Sequence, residues 1–241
     1  MDFIIIIGKY KKIQNSNILI LGAGGTGGTC ALSLARLGFG NLTVVDFDKV
    51  ELNNLNRQIY NFNDIGLDKT FALSKHIKEV NPFINLSTVN KKINNLEDLL
   101  ELGCFDLIIC CIDKPSNMND IMDEDTKVTN TARILGGYAS TIISSGIFTS
   151  EDCRFKDLFD NSKDDNYNAE NVFKNTFWKW DNAIISPVAN IAGNMLCFYA
   201  FYYLTNLGII ESGVLQHIDV FIIQNNSFCN YIDKNGLKEM E

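Results

Sequence analysis

The residues that could do chemistry stand in the turns after apolar runs. The apolar segment 17–21 leads into Gly22, Gly24 and Gly27, spaced G-x-G-x-x-G, then into a helical pattern and a second apolar run ending at Asp46. In such a βαβ unit the first glycine permits a tight turn, the second lets backbone approach a phosphate, and the third lets helix and strand pack closely. Phosphate then meets the positive end of the helix, and Asp46 stands where an acid accepts hydrogen bonds from ribose hydroxyls. This much predicts only an adenine nucleotide. Arg57, Lys69 and Asp113 add what a dinucleotide site does not need: two cations for phosphate oxygens and a carboxylate for a hard cation. ATP with Mg2+ fits that set. The reaction suggested is attack by a carboxylic acid on the α-phosphorus with release of pyrophosphate.

The elements that must position these groups alternate. A polar, asparagine-rich stretch at 51–64 should lie over the nucleotide, followed by a helix at 68–80 that stops at Asn81-Pro82. A strand is expected at 84–89, a helix at 96–102, and a fully apolar strand at 106–111 just before Asp113. Strand–helix alternation predicts an α/β fold: a Rossmann-like, doubly wound, mainly parallel sheet. Ligands of such sheets bind at the carboxyl ends of the strands, so Gly22–Gly27, Asp46 and Asp113 should converge on one crevice. Two β-rich runs flank Gly136-Gly137 within 134–148, and antiparallel strands are expected at 214–223 and 228–232. Residues 151–182 turn strongly polar and read as a long mobile crossover loop, about 150–183, of the substrate-covering kind.

Bulk properties exclude several classes. The 241 residues, 46% of them hydrophobic and only three of them proline, suit one domain with a sizeable core. A net charge of −8 argues against a nucleic-acid partner. The seven cysteines form no C-x-x-C pair and several lie in apolar runs, so most read as small core residues in a reducing, cytoplasmic compartment. The first residues do not read as a secretion signal. The uncharged stretch 184–204 is long enough to span a bilayer, but Pro187, Asn190 and Asn194 make a buried core helix the expected reading.

Four further motifs follow the glycine turn in order: D-F-D at 46–48, N-x-x-R-Q at 54–58, G-x-x-K at 66–69 and C-x-D at 111–113. Together they resemble the ubiquitin-activating-enzyme-like adenylyltransferases, the group of ThiF, MoeB and HesA, which also includes the microcin C7-type peptide-adenylating enzymes. The resemblance covers 17–148 well and continues more loosely through 185–197, which is similar to the late helix of the microcin-type members. It implies that Gly22, Gly24, Gly25 and Gly27 cradle phosphates, that Asp46 binds ribose with Asp48 beside it, and that Asn54, Arg57, Gln58 and Lys69 belong to the nucleotide site. It further implies that Asp113 holds Mg2+. The implied substrate is the C-terminal carboxylate of a peptide or small ubiquitin-like carrier protein, bound by a homodimer, with no membrane involved. Modification of a ribosomally made peptide is the first reading and activation of a β-grasp sulfur carrier the second. A non-catalytic partner subunit and an NAD-dependent oxidoreductase are the rivals from other classes.

The chain departs from the family pattern in two places. Relatives hold a structural zinc with two C-x-x-C pairs, where this chain has single cysteines, Cys153 and Cys229, so no zinc is expected. An arginine near the N-terminus that many dimeric relatives insert into the partner's ATP site is missing, and Lys9, Lys11 or Lys12 are its substitutes by position. Cys153, beside Arg154 and Lys156, has the setting of a thioester cysteine, although a leftover of the zinc site is the preferred reading. His76 and His217 read as ordinary surface or core histidines. The aromatic cluster of Phe177, Trp178 and Trp180 reads as packing or an interface.

Overall fold

A computed structural model describes residues 3–139, 141–160, 185–208, 210–220, 229–233 and 236–240, with side chains placed for 8–139, 141–158, 185–208, 210–218 and 220. One sheet of nine strands organises the chain. In order along the chain these are β1 (Asn17–Leu21), β2 (Asn41–Val45), β3 (Asn85–Val89), β4 (Leu107–Cys110), β5 (Ala132–Ala139), β6 (Ile142–Phe148), β7 (Leu215–Asp219), β8 (Cys229–Asp233) and β9 (Gly236–Met240). Their spatial order is β3-β2-β1-β4-β5-β6-β7-β8-β9. The first five run parallel and β6 to β9 are antiparallel. The strand order reverses between β1 and β4, which opens a crevice at their carboxyl ends.

Helices α1 (Phe3–Asn15), α2 (Gly25–Leu37), α3 (Lys69–Val80), α4 (Leu96–Leu100), α5 (Met118–Thr129), α6 (Asp157–Asp160) and α7 (Ser186–Thr205) complete the chain. Strands β1 and β4 are apolar at successive positions because both faces are covered. Ile18, Ile20, Ile109 and Ile134 point into one core layer with α2, α3 and α7; Leu19, Leu21, Ile108 and Leu135 point into the other with α4 and α5. Helix α7 buries Val188, Ala189, Ala192, Leu196 and Ala200 against α2, β5 and β6, as the core-helix reading expects. Gly193 makes that contact possible, since a Cβ there would lie 2.6 Å from the Thr26 carbonyl oxygen. Across the same contact, Thr29 Oγ1 donates to Asn190 Oδ1 at 3.0 Å and Ser33 Oγ to Asn194 Oδ1 at 2.8 Å, so the polar residues that argued against a membrane span bond a neighbouring helix. No helix among the described residues is long and apolar enough to cross a membrane.

Three elements escape the sequence reading: α1, α5 and β9. The hydrophobic pattern of α5 is broken because two of its inward positions are acids, Asp123 and Asp125, each nearly fully buried. Gly136 and Gly137 are inside β5 rather than between two strands. Gly136 lies beneath Leu196, where a Cβ would be 2.3 Å from Cδ2. Residues 161–184, with the centre of the crossover loop and the Phe177, Trp178 and Trp180 cluster, lie outside the described residues.

Asp64 caps the turn before α3 and ties it down. Its carboxylate, 1% exposed, meets His76 Nε2 at 2.7 Å, Lys75 Nζ at 3.5 Å and the Asn61 N–H at 3.0 Å. Burial pushes the Asp64 carboxyl up, but the Asn61 amide and His76 outweigh it and hold it below the usual range. Because the folded value is lowered, the stabilisation is present above the unfolded value near 4 and is lost as pH falls through the folded one. Urea midpoints measured from pH 7 down to pH 3 should therefore fall more for the wild type than for Asp64→Asn. Parallel pH curves for the two proteins would show that Asp64 contributes nothing of the kind.

Candidate nucleotide and acyl site

The glycine turn has the geometry its spacing predicts. Gly22 has φ +99°, and a Cβ there would sit 2.8 Å from Ile112 Cγ2 and 3.0 Å from the Cys111 carbonyl oxygen. A Cβ on Gly27 would lie 1.9 Å from the Gly22 carbonyl oxygen, so helix and strand touch through backbone. Gly24 differs: the nearest atom to its Cβ position is Gln58 Nε2 at 4.0 Å, which leaves the turn open to a ligand. Gly25 is packed between Ala189, the Tyr138 hydroxyl and the Arg57 carbonyl. The Gln58 Oε1 atom is buried with no hydrogen-bond partner among the described residues. An unpaired acceptor beside an open glycine turn at a helix N-terminus fits a bound nucleotide.

Asp46 sets the shape of the crevice mouth. Its Oδ2 accepts the Ala23 N–H at 2.7 Å and its Oδ1 the Asp48 N–H at 2.8 Å, which locks the carboxylate between the two βα turns. Asp46, Phe47, Asp48, Lys92, Ile112 and Asp113 line a cleft of ≈ 270 Å³. Lys92 Nζ stands 5.6 Å from the centre of the Phe47 ring. A second cleft of ≈ 270 Å³ lies beyond Asp113, lined by Asn119, Leu135, Gly136, Gly137, Tyr138 and Ser144 among others. Ile112 and Asp113 are common to both. Asp113 is exposed and makes no hydrogen bond or ion pair among the described residues. Its free carboxylate at the junction suits Mg2+, which takes one or two carboxylates together with phosphate oxygens and water. No group of three or more His, Cys, Asp or Glu able to hold a metal occurs among the described residues.

The loop residues are placed less simply. Arg57 Nη1 donates to the Asn53 carbonyl at 2.8 Å and to Asn56 Oδ1 at 2.9 Å, and the guanidinium also hydrogen-bonds Tyr138. Burial pushes the Tyr138 phenol up, against the opposing pull of Arg57. Lys69, 7% exposed, pairs with Asp48 Oδ2 at 2.9 Å, so its charge is already partnered and a phosphate would have to share or replace that carboxylate. Asn54 is consumed inside its own turn: Oδ1 accepts the Glu51 N–H at 3.0 Å and Nδ2 donates to Asn53 Oδ1 at 2.8 Å. It holds the loop that carries Arg57 and Gln58, whose N–H groups both donate to its carbonyl.

Tyr60 was not anticipated from sequence. Its hydroxyl donates to the Ala23 carbonyl at 2.6 Å and lies 3.2 Å from the Lys69 carbonyl, tying the glycine turn to the start of α3. Burial, with Asp46 and Asp64 nearby, pushes its phenol well up and keeps it protonated. Tyr60→Phe should cost about 1–3 kcal/mol by leaving the buried Ala23 carbonyl without its donor. Thermal melts are expected to show a fall of roughly 2–12 °C; an unchanged midpoint would mean that the hydroxyl is not holding the turn.

Lys9 and Cys153 are also placed. Lys9 Nζ donates to the Thr205 carbonyl at the far end of α7, whereas Ala189 near the other end touches Gly25. Sixteen residues of helix separate these points, about 24 Å, so Lys9 lies far from the crevice of its own chain, and the role weighed for it is in a partner's. Cys153 is half-buried against Phe148 and its neighbours, and burial, Asp157 and Asp152 push its thiol up. Arg154 pairs with Asp157 at 2.8 Å. Of the other placed thiols Cys104 is exposed, whereas Cys30, Cys110 and Cys197 are buried, and burial pushes Cys110 up to about 11 and Cys197 to about 12.

Comparison with known proteins agrees with this geometry. A probable molybdopterin-synthase adenylyltransferase from Porphyra purpurea is 27% identical over 225 residues, covering 90% of this chain and 56% of the relative. The chain thus spans little more than half of that protein. Among solved structures, E. coli MccB with ATP superposes with a TM-score of 0.77 at 21% identity, covering 98% of this chain and 66% of that one. E. coli MccB with AMPCPP and MccA gives 0.78 at 21% identity, over 95% and 66%. These superpositions establish a common fold. The model of the ThiF family matches residues 3–232, and the chain belongs to the ThiF family of ubiquitin-activating-enzyme-like proteins.

Proposed function

We propose that the chain is an ATP-dependent adenylyltransferase that activates the C-terminal carboxylate of a peptide or small ubiquitin-like carrier protein, working as a homodimer. The observation that carries this reading is the pair of clefts meeting at Asp113, one beside Asp46 and the other floored by Gly136 and Gly137. A nucleotide whose ribose lies at Asp46 and whose phosphates lie at the glycine turn puts its α-phosphorus near that junction. An acyl group entering by the second cleft meets it there. One carboxylate oxygen attacks the α-phosphorus, the bond to the bridging oxygen breaks, and pyrophosphate leaves with the electron pair. No general base is needed, since the attacking carboxylate is ionised at neutral pH. The protein's task is positioning and neutralising charge on the α-phosphate and the leaving group. Mg2+, held by Asp113, would supply charge neutralisation at the phosphates. Arg57 and Lys69 contribute the protein's own cations.

A peptide substrate is our first choice, supported by the loose similarity of 185–197 to microcin-type members and by the MccA-bound solved structure. A sulfur-carrier substrate is the second, favoured by the molybdopterin-synthase adenylyltransferase relative. ATP–pyrophosphate exchange by the purified chain with Mg2+, tried against candidate peptides and carriers, tests the reading. Exchange that depends on one acceptor supports it and identifies the class. ATP binding with no exchange for any acceptor would favour a non-catalytic subunit.

A further inference from the structure

One tyrosine reaches from the second cleft to the glycine turn. Tyr138 is the penultimate residue of β5, stands opposite Ile143 of β6 and borders the cleft beyond Asp113. It lies two positions after Gly136, which is packed beneath Leu196, so its side chain shares the face of the sheet that α7 covers. The ring packs with Ile143, Val188 and Ala192, which fixes its direction. Its hydroxyl ends at the first turn of α2, where a Cβ on Gly25 would lie 3.1 Å from the phenol oxygen. Tyr138 thus carries a polar group from the strand that floors the second cleft to the turn where phosphates are expected.

The surroundings of that hydroxyl leave its proton unspent. A guanidinium offers donors only, so in the contact with Arg57 the phenol oxygen accepts. The Tyr138 O–H itself has no acceptor among the described residues. Burial pushes the phenol up, which keeps the proton on it at neutral pH. The neighbouring N–H groups in the first turn of α2 lack acceptors within their helix as well. The nearby carboxylates do not serve either of these: Asp46 is held by the Ala23 and Asp48 N–H groups, and Asp48 pairs with Lys69. A phenol O–H, a guanidinium and a helix N-terminus that all want an acceptor define a place for an anion. The phosphorus that a carboxylate attacks must be reachable both from the glycine turn and from the second cleft, and Tyr138 is the side chain that touches both.

We infer that Tyr138 is a further catalytic residue of the adenylation, its O–H donating to a non-bridging oxygen of the nucleotide's α-phosphate with Arg57 behind it. Negative charge gathers on that oxygen as the acyl carboxylate adds to phosphorus, and a donor already fixed by packing stabilises it without having to move. The bond to the bridging oxygen then breaks and pyrophosphate takes the electron pair, while Tyr138 keeps its proton throughout. Placing the α-phosphorus at this point rests on the adenylation reading.

Tyr138→Phe in the full chain tests this, because it keeps the ring and removes only the hydroxyl. ATP and the two diastereomers of its α-thio analogue are titrated into both proteins with Mg2+ present. Sulfur is the weaker acceptor, so wild type should bind one diastereomer less tightly than ATP. Tyr138→Phe should bind ATP about 10-fold more weakly and should no longer distinguish ATP from that diastereomer. Equal ATP affinity in the two proteins, or the same thio discrimination in both, would overturn the inference. A lowered melting temperature with thio discrimination intact marks a packing role and overturns it too. In pyrophosphate exchange, Tyr138→Phe should be slower by about 100-fold. Lost thio discrimination with no exchange for any acceptor leaves Tyr138 on the phosphate and removes the adenylation reading, whereas exchange at the wild-type rate in Tyr138→Phe does the reverse.

Discussion

Asp113→Ala is expected to reduce ATP–pyrophosphate exchange by about 100- to 1,000-fold, the scale set by losing charge stabilisation preorganised for a transition state. The melting temperature should stay where it is, because Asp113 is exposed and makes no hydrogen bond or ion pair among the described residues. That combination separates a site residue from a structural one. Asp48, by contrast, pairs with Lys69 at 2.9 Å, so its removal would leave a nearly buried cation and disturb folding along with binding. Asp113→Asn makes the test stricter, since it keeps the size and one oxygen but removes the charge. A mutant retaining exchange within tenfold of wild type would remove Asp113 from the phosphate chemistry and with it the central position of the cleft junction.

The parts of the site legible in sequence are those where backbone geometry or charge imposes a residue type. Gly22 needs its positive φ and Gly27 its backbone contact, so spacing alone located the tight turn between β1 and α2. Asp113 follows β4, buried at every position and so unambiguous in its apolar run, and Asp46 follows β2, which is buried at Leu42, Val44 and Val45. What stayed hidden depends on contacts between segments distant in the chain. The ties from Tyr60 to the carbonyls of Ala23 and Lys69 have no sequence spacing to announce them. The same is true of Asn54, whose motif suggests a ligand contact while its amide is spent on holding a turn. The residues of the second cleft were invisible for another reason: Gly136 and Gly137 read as a break between strands, yet they are part of β5 and floor a site.

Helix α5 shows the opposite failure, in which charge hides a core element, and it carries the largest stability prediction. Asp123 and Arg133 form an ion pair almost wholly removed from water, 4% and 2% exposed, with the guanidinium 5.0 Å from the centre of the Phe148 ring. Asp123 also accepts the Phe155 N–H at 3.1 Å, so one carboxylate joins α5, β5 and the start of the crossover segment. Burial pushes the Asp123 carboxyl up and the Arg133 guanidinium down, each against the attraction of the other. Desolvation therefore exceeds the mutual attraction, and the pair is costly to break without being strongly stabilising as a unit. Asp123→Ala leaves the arginine charged and buried, and should cost about 3–5 kcal/mol, a fall in melting temperature of roughly 6–20 °C. The double change Asp123→Leu with Arg133→Met removes both charges while keeping apolar volume, and should recover most of that loss. A single mutant within about 1 kcal/mol of wild type, the range of an exposed ion pair, would mean that water reaches Arg133 and that the carboxylate is not what orders α5 against the sheet.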